Sequence, residues 1–195
     1  MQPLGGNPGA DGGDVDLDEW ADRARVDTAG QLRRREAWLR RQAAEDASVV
    51  GVLITHAERG STVSVTTCSG NRYVGRVRGA GWELVTVEVT GALGFIRLDS
   101  IETFRAHHGD GAETPDPVGH RGGADPISMG EVLGLVVADR PEVTLVSRSG
   151  RQLAGELVAV GRDVVMVRPP EQRGLAYAPL ASVSEALVPA STGSG

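Results

Sequence analysis

The chain contains no lysine, a single cysteine and few aromatic residues. All 20 basic residues are arginine, a bias that the codon usage of a GC-rich genome produces without selection for function. Cys68 stands in a run rich in Thr and Val, so an intramolecular disulfide is excluded and we expect a strand residue in a reducing compartment. Because aromatic residues make up only 4% of the chain, a core must be built mainly from Val, Leu, Ile and Ala.

Long apolar runs are also missing. No stretch approaches the roughly 18 to 20 residues that cross a bilayer, and no cationic start followed by an apolar segment marks a secretion signal. We therefore expect a cytoplasmic protein without membrane contact. The net charge of −6 and the lack of a basic cluster argue against DNA as a partner.

Catalytic motifs are absent as well. The sequence has no Gly-x-Ser-x-Gly elbow, no phosphate-binding loop and no catalytic Cys/His spacing. Four potential metal ligands lie in a stretch rich in Gly and Pro, at a spacing that fits no zinc template: His107, His108, Asp110 and His120. We expect no enzymatic activity, no cofactor and no metal site, and we interpret His56 as a partly exposed helix residue.

Changes in composition divide the chain into segments. Residues 1–13 and 190–195 lack apolar periodicity and predict disordered tails. Residues 14–47 predict a helical arm, because apolar residues recur there at helical spacing among Arg, Ala and Glu. The stretch 107–127 is rich in Gly, Pro, Asp and His and predicts a linker. The two folded units are then 48–106 and 128–189.

The two folded units resemble each other in sequence. When 48–87 is placed over 128–167, at an offset of 80, glycines fall on glycines and apolar residues on apolar residues. An insertion of two residues near Arg173 then changes the offset to 82. This agreement favours an internal duplication. The clearest matches are Val52-Leu53 with Val132-Leu133, Ser69-Gly70 with Ser149-Gly150, and Phe95 with Tyr177.

Each copy shows the same predicted elements. The first copy has a helix over 48–58 and five short strands: Val63–Thr67, a strand through Gly75, Leu84–Val89, a strand holding Phe95, and one after Leu98. The second copy repeats the pattern after a helix over 128–138. Alternating apolar residues in these strands predict that one face of each is buried.

Four glycines define the predicted turns and bends. Gly70 and Gly150 follow serine in a tight turn, because glycine accepts the positive φ that a two-residue hairpin needs. Gly75 and Gly155 lie inside the second strand, where glycine marks a sharp bend. Five strands bent in this way curl into a small barrel without exposed edges. We therefore predict a mainly β protein with two separately closed five-stranded barrels, each preceded by a helix. One continuous sheet would contradict this prediction.

A helix followed by five bent strands, with Gly-x4-Gly in each copy, resembles the Sm-like family, which includes the Hfq-type proteins. The resemblance covers roughly 48–105 and 128–188, and the family's first motif is similar to GRQLAGEL from Gly150 to Leu157. Other small barrels, such as the PRC-barrel family, use similar turn and bend glycines. The resemblance implies tandem Sm-like barrels, and the absence of lysine favours a GC-rich bacterium as the source. Sm-like proteins typically form rings and bind single-stranded RNA.

The RNA-contacting residues of that family have no counterpart in this chain. Asn7 and Asn71 are its only asparagines, and neither follows the loop after the second strand, where the family has a base-contacting Asn. Residues 97–99 (RLD) and 179–181 (PLA) stand near the place of the Lys-His pair of the Hfq type. The resemblance therefore implies the fold without transferring the function. It leaves open whether the pair mimics two neighbouring ring subunits or packs barrel to barrel.

We predict a non-catalytic interaction module that binds a protein partner or a second copy of itself. Residues 62–105 hold five arginines and four acidic residues, and 142–187 hold five of each, so neither copy is basic. RNA is the alternative partner. Its candidate contacts are three arginines that alternate along one strand and so share a face, and a nearby residue for base stacking: Arg72, Arg76, Arg78 and Trp82.

Overall fold

The computed structural model describes residues 31, 34–39, 41–42, 45, 47–107 and 127–190. The predicted tail 1–13, all of the predicted tail 190–195 except residue 190, much of the predicted helical arm and nearly all of the predicted linker lie outside these residues. The chain divides into two units, Met1–Gln42 and Ala43–Gly195. In the first unit, all described residues are helical and exposed. The second unit contains every strand described below.

Two helices begin at serine caps. Helix α1 spans Val49–Glu58, and the Ser48 hydroxyl accepts a hydrogen bond from the Gly51 amide at 3.0 Å. Helix α2 spans Met129–Val136 and starts at a capping box in which Ser128 and Glu131 bond each other's backbone amides. Such caps satisfy amides that have no partner inside the first turn of a helix.

Ten strands follow these helices, five after each. The first half contains β1 (Thr62–Thr67), β2 (Arg72–Ala80), β3 (Leu84–Val89), β4 (Ala92–Arg97) and β5 (Ile101–His107). The second half contains β6 (Glu142–Ser147), β7 (Gln152–Val160), β8 (Val164–Arg168), β9 (Ala176–Pro179) and β10 (Val183–Pro189). Three short 3-10 helices connect elements at Leu98–Ser100, Val137–Asp139 and Leu180–Ser182. The prediction of a mainly β protein is confirmed.

All ten strands form one antiparallel sheet in the order β5-β1-β2-β3-β4-β10-β6-β7-β8-β9. The expectation of two separately closed barrels is therefore wrong. The sheet is continuous because β4 pairs with β10 across the boundary between the halves. Each strand edge carries backbone amides and carbonyls that need partners, and here the last strand of one half and the fourth strand of the other satisfy each other. The outer edges β5 and β9 stay open within the described residues.

The two halves nevertheless have the same strand order and register. Val63 faces Gly75 in the first half, and Val143 faces Gly155 in the second, at an offset of 80. The pairing of β1 with β5 in the first half corresponds to the pairing of β6 with β10 in the second, and β10 follows β5 at an offset of 82. Both pairings have a register shift at equivalent residues. The same pattern of local sequence thus folds into the same arrangement of strands twice.

The apolar interior forms two clusters of buried residues, and the boundary between the clusters does not coincide with the boundary between the halves of the chain. One cluster contains only first-half residues, including Leu53, Val65 and Ile96. The other surrounds Leu133 of α2 and also includes Phe95 of β4, although Phe95 belongs to the first half of the chain. The first half therefore contributes part of the core of the second half.

The turn after β1 differs in length from the predicted two-residue loop. The Gly70 amide donates to the Thr67 carbonyl at 2.9 Å, and the Thr67 amide donates to the Asn71 carbonyl at 3.0 Å. This pattern encloses three loop residues and places Gly70 at a φ of 85°, the left-handed position that glycine adopts without strain. Cys68 lies in this turn and is exposed, so the prediction of a strand residue is wrong.

The glycine inside the second strand of each half lies against the backbone of the next strand. A Cβ atom added to Gly75 would lie 2.1 Å from the Glu88 carbonyl oxygen, and one added to Gly155 would lie 2.2 Å from that of Arg168. No side chain fits at such a distance. These two positions allow β2 and β7 to bend closely over their neighbours.

Candidate interaction surfaces

The junction of β4 and β10 shows how this sheet accepts a further strand. Five residues of each strand face one another in an antiparallel register. Where the pairing ends, the Ala190 amide donates to the Gly91 carbonyl at 3.0 Å. Amides alternate in direction along a strand, so those of Val188 and Ala186 also point toward β4. The junction is thus a regular backbone ladder between the halves.

A buried carboxylate lies beside this ladder. Glu185 of β10 is only 1% exposed. Its Oε1 accepts a hydrogen bond from Ser69 at 2.6 Å, and its Oε2 accepts one from the Asn71 amide group at 3.0 Å and one from the Tyr73 hydroxyl at 2.5 Å. All three donors belong to the turn after β1 or to the start of β2. The first half therefore supplies the hydrogen bonds that a buried charge of the second half requires.

The electrostatics of this cluster favour the ionised carboxylate. Burial raises the pKa of Glu185, but the hydrogen bonds from Ser69, Tyr73 and Asn71 outweigh burial and hold the pKa below its ordinary value. Burial, together with the adjacent carboxylate, raises the pKa of the Tyr73 hydroxyl well above its ordinary value. Glu185 is therefore a charged acceptor and Tyr73 a neutral donor at neutral pH.

The turns of the two halves also touch near this cluster. The Arg148 guanidinium pairs with Asp99 at 2.5 Å, and this contact raises the pKa of Arg148. The Ser69 carbonyl oxygen lies 2.9 Å from the position that a Cβ atom of Gly150 would occupy. The turn glycine of the second half therefore also allows close contact with the turn of the first half.

A shallow cavity of about 260 Å³ lies on the sheet surface between the halves. Two of its polar side chains, Asn71 and Tyr73, already bond Glu185, and a third, Arg72, donates to the Ser64 hydroxyl at 2.7 Å. These bonds make the cavity part of the junction. Its lining consists of Asn71, Arg72, Tyr73, Thr144, Val146, Gln152 and Leu187.

The open edge β9 exposes a residue whose counterpart in the first half is buried. Phe95 of β4 faces Ala186 of β10 and is 8% exposed. Tyr177 stands at the equivalent place on β9, at an offset of 82, and is 63% exposed. No strand covers β9 within the described residues, which explains the difference. At the other edge, most residues of β5 are exposed or half-buried, whereas most of the equivalent β10 is buried.

The predicted arginine face exists on β2, but part of its charge is engaged. Arg72, Arg76 and Arg78 are all exposed. Arg78 lies at an irregularity between β2 and β3 and pairs with Glu88. Trp82, in the loop that follows, is 54% exposed.

The second half does not repeat this face. Gln152 and Glu156 stand at the places of Arg72 and Arg76, and Glu156 forms ion pairs with Arg140 and Arg168. The cross-strand pair of Arg76 with Glu88 in the first half thus corresponds to Glu156 with Arg168 in the second, with the charges exchanged. The arginine face is confined to one half of the sheet.

The histidines do not form a site in the described part of the chain. His107 ends β5 and is exposed, while His108, Asp110 and His120 lie outside the described residues. His56 was predicted to be partly exposed, but it is buried, and its ring meets the Phe104 ring edge-on at 6.3 Å between centroids. Over residues 31–107 and 127–190, as far as they are described, no group of three or more His, Cys, Asp or Glu side chains is placed to hold a metal ion.

Comparison with models of known protein families gives no match, and neither does comparison with curated protein sequences. Among the helices that the structure describes, none is both long and apolar enough to cross a bilayer.

Sequence reasoning missed the Glu185 cluster. Its residues are ordinary polar types, and more than 110 positions of the chain separate Glu185 from each of its three donors. One signal was available, because the position equivalent to Glu185 in the first half is Thr103. A carboxylate that replaces a threonine in one copy of a strand marks a place where the surroundings of the two copies differ.

Proposed function

We propose that this chain is a non-catalytic protein-interaction module, built from two duplicated Sm-like units, that binds by adding a strand at an open edge of its sheet. The observation that carries this proposal is the pairing of β4 with β10. This junction joins two five-stranded units through a backbone ladder and an aromatic side chain, Phe95, that enters the neighbouring core. The same kind of edge is available at β5 and β9.

The shared strand order and register of the halves support the Sm-like interpretation of each unit. Strand addition is a common mode of protein recognition, because backbone hydrogen bonds supply affinity and alternate side chains supply specificity. Edge strands that are not needed for association are usually shielded by charges, prolines or bulges. In β9, Pro179 stands at the end of the strand, and the residues before it are uncharged.

Variants of the two edges test this function. Phe104 and Ala106 on β5 are the equivalents of Ala186 and Val188 on β10, whose amides point toward β4. The amides of Phe104 and Ala106 therefore point away from β1, toward the outer side of the sheet. Ala106→Pro removes one outward amide, and Ala106→Thr keeps it and serves as the matched control. At the other edge, Tyr177→Asp adds a charge, and Tyr177→Phe is the control.

The tagged full chain and these variants are purified from the source organism, and the retained polypeptides are compared. We expect a stoichiometric polypeptide, either a different protein or an untagged copy of this chain, that is lost with Ala106→Pro, Tyr177→Asp or both and kept with the controls. Retention that is equal in all variants, or retention of nucleic acid alone, would contradict an edge-binding function.

The alternative function is binding of single-stranded RNA by the exposed face of β2. The placement of Arg72 and Arg76 on one exposed face, with Trp82 in the following loop, favours it. Labelled single-stranded RNA is titrated at two salt concentrations with wild type and Arg76→Ala. Salt-dependent binding that weakens with Arg76→Ala would support this alternative. No binding at low salt would remove it.

A further inference from the structure

We infer that the outer face of β5, β1 and β2 binds a short acidic segment of a partner polypeptide. This surface is separate from the strand edges of the proposed function, because it consists of side chains and not of backbone groups. Residues that face each other across antiparallel strands point to the same side of the sheet, and so do alternate residues of one strand. The nine residues of this three-strand face stand in three rows: His107, Thr62 and Arg76; Arg105, Ser64 and Val74; Thr103, Thr66 and Arg72.

The three-strand face carries three positive charges and no negative one. Its three arginines are all exposed, and none of them pairs with a carboxylate within the described residues. Two acidic residues border the face. Glu88 of β3 pairs with Arg78, and Glu102 lies at the register shift of β5. Positive charge is therefore concentrated on three strands and is bounded by acidic side chains.

One arginine of this face is already held in place. The Arg72 Nε donates a hydrogen bond to the Ser64 hydroxyl at 2.7 Å, and Ser64 is the central residue of the array. The contact helps to cover Ser64, which is only 4% exposed although it lies on the outer face. It uses one of the five N–H donors of the guanidinium, so the terminal nitrogens of Arg72 stay able to bind a carboxylate.

The spacing of the arginines suits an extended acidic chain. Residues four positions apart along a strand, such as Arg72 and Arg76, are separated by about 13 Å. Arg105 lies two strands away in the middle row, at about 12 Å from each of them by the same geometry. Carboxylates four residues apart in an extended segment have a matching separation. Arginine binds a planar carboxylate through two parallel hydrogen bonds, and the exposed hydroxyls of Thr62 and Thr103 offer further donors.

The equivalent face of the second half has the opposite charge. Thr62, Arg76 and Thr103 are replaced there by glutamates, and none of the nine equivalent positions holds a basic residue. The same strands thus fold and pair with either charge on this face, so the fold itself does not require the arginines. The equivalent residues are Gln152, Ala154, Glu156, Val146, Thr144, Glu142, Glu185, Leu187 and Pro189.

The limited extent of the positive charge favours a short acidic segment over a long polyanion. The whole chain has a net charge of −6, so RNA that runs beyond the face would meet repulsion. None of the nine residues is aromatic, whereas proteins that bind single-stranded RNA usually stack its bases on aromatic rings. Val74 is the one apolar residue of the nine, which is too little to enter a lipid surface.

Peptide titration tests this inference. Labelled hexaglutamate is titrated with the purified chain by fluorescence anisotropy at low and at physiological salt, and hexaglutamine is the uncharged control. We expect only hexaglutamate to bind, and its affinity to fall as salt increases. Arg76→Gln and Arg105→Gln should each weaken binding by about two- to fivefold, and the double variant by about tenfold. Arg162→Gln removes the same charge from an exposed loop of the second half and should bind as the wild type does.

Three results would overturn the inference. The first is no binding of hexaglutamate at low salt, and the second is a loss with Arg162→Gln as large as with Arg105→Gln. The third is a single-stranded RNA that displaces hexaglutamate and binds more tightly, because the face would then serve the alternative function. Tyr177→Asp changes only the far edge of the sheet and should bind hexaglutamate as the wild type does. Failure of this inference and failure of edge binding are therefore seen in separate measurements.

Discussion

The Tyr73 hydroxyl donates a hydrogen bond to Glu185 Oε2 at 2.5 Å, across 112 positions of the sequence. Together with Ser69 and Asn71, Tyr73 anchors β2 of the first half to β10 of the second. The backbone ladder of β4 and β10 joins the same two halves by a different route. The two sets of contacts explain why ten strands form one sheet and not two independent units.

Removal of the buried carboxylate should destabilise the folded chain. Glu185→Ala leaves three partly buried donors without their acceptor, and we expect a loss of about 2–4 kcal/mol in the free energy of unfolding. Tyr73→Phe removes a single donor and should cost about 1–3 kcal/mol. Urea unfolding followed by circular dichroism measures both. Equal stability of Glu185→Ala and wild type would mean that the cluster does not hold the halves together.

The pH dependence of stability should reveal the charge on Glu185. Its folded pKa lies below the ordinary value of 4.5, so the carboxylate contributes stability that is fully present above about pH 5 and is lost as the pH falls through the folded pKa. The difference in unfolding free energy between wild type and Glu185→Gln should therefore be largest near neutral pH and shrink on acidification. Urea unfolding of both proteins across this range checks the trend. A difference that stays constant below about pH 4 would show that Glu185 is not ionised in the fold.

Two glycines of β2 should respond very differently to alanine. Gly75→Ala places a Cβ atom 2.1 Å from the Glu88 carbonyl oxygen, so the strands must separate, and we expect a loss of about 3 kcal/mol or more. Gly79 lies in the same strand, and a Cβ atom added there would meet nothing within 4 Å. Gly79→Ala is thus the matched control and should change stability by less than about 1 kcal/mol. Thermal unfolding compares the pair, and similar effects of both substitutions would contradict the close approach at Gly75.

Phe95 and Tyr177 should contribute unequally to the stability of the monomer. Phe95→Ala removes a buried ring from the core of the second half and should cost about 3–5 kcal/mol. Tyr177→Ala removes a ring that is 63% exposed and should change monomer stability by less than about 1 kcal/mol. Unfolding at a protein concentration low enough to keep the chain monomeric gives both values. A large loss for Tyr177→Ala under those conditions would show that this ring serves the fold and not an interface.

Much of the local structure follows from the sequence. The alternation of apolar residues predicted the third strand as Leu84–Val89, which is where β3 lies, and the predicted first helix over 48–58 corresponds to α1. The turn glycine at 70 was predicted to need a positive φ, and its φ is 85°. The loop length was wrong because the Ser-Gly signal specifies a left-handed glycine and not the number of residues around it.

The candidate contacts were harder to predict. The exposed face of β2 follows from strand alternation, so Arg72 and Arg76 lie where the sequence placed them. The engagement of Arg78 with Glu88 depends on the partner strand and on an irregularity in the ladder. His56 was expected to be partly exposed, but packing against Phe104 of a distant strand buries it. At both Arg78 and His56, the feature that the sequence did not reveal is a contact with another element of the fold.

By itself, the sequence determined the approximate positions of the ten strands and of helices α1 and α2, which glycines occupy turns and bends, and that the sequence pattern occurs twice. These features depend on steric limits and apolar periodicity over a few neighbouring residues. Only the tertiary structure decided that β4 pairs with β10, that Glu185 receives its hydrogen bonds from the other half, and that β5 and β9 are the outer strands of the sheet in the part of the chain that the structure describes. Backbone amides and carbonyls are the same at every strand edge, so the choice between closing a barrel and joining a neighbour depends on how the whole sheet packs.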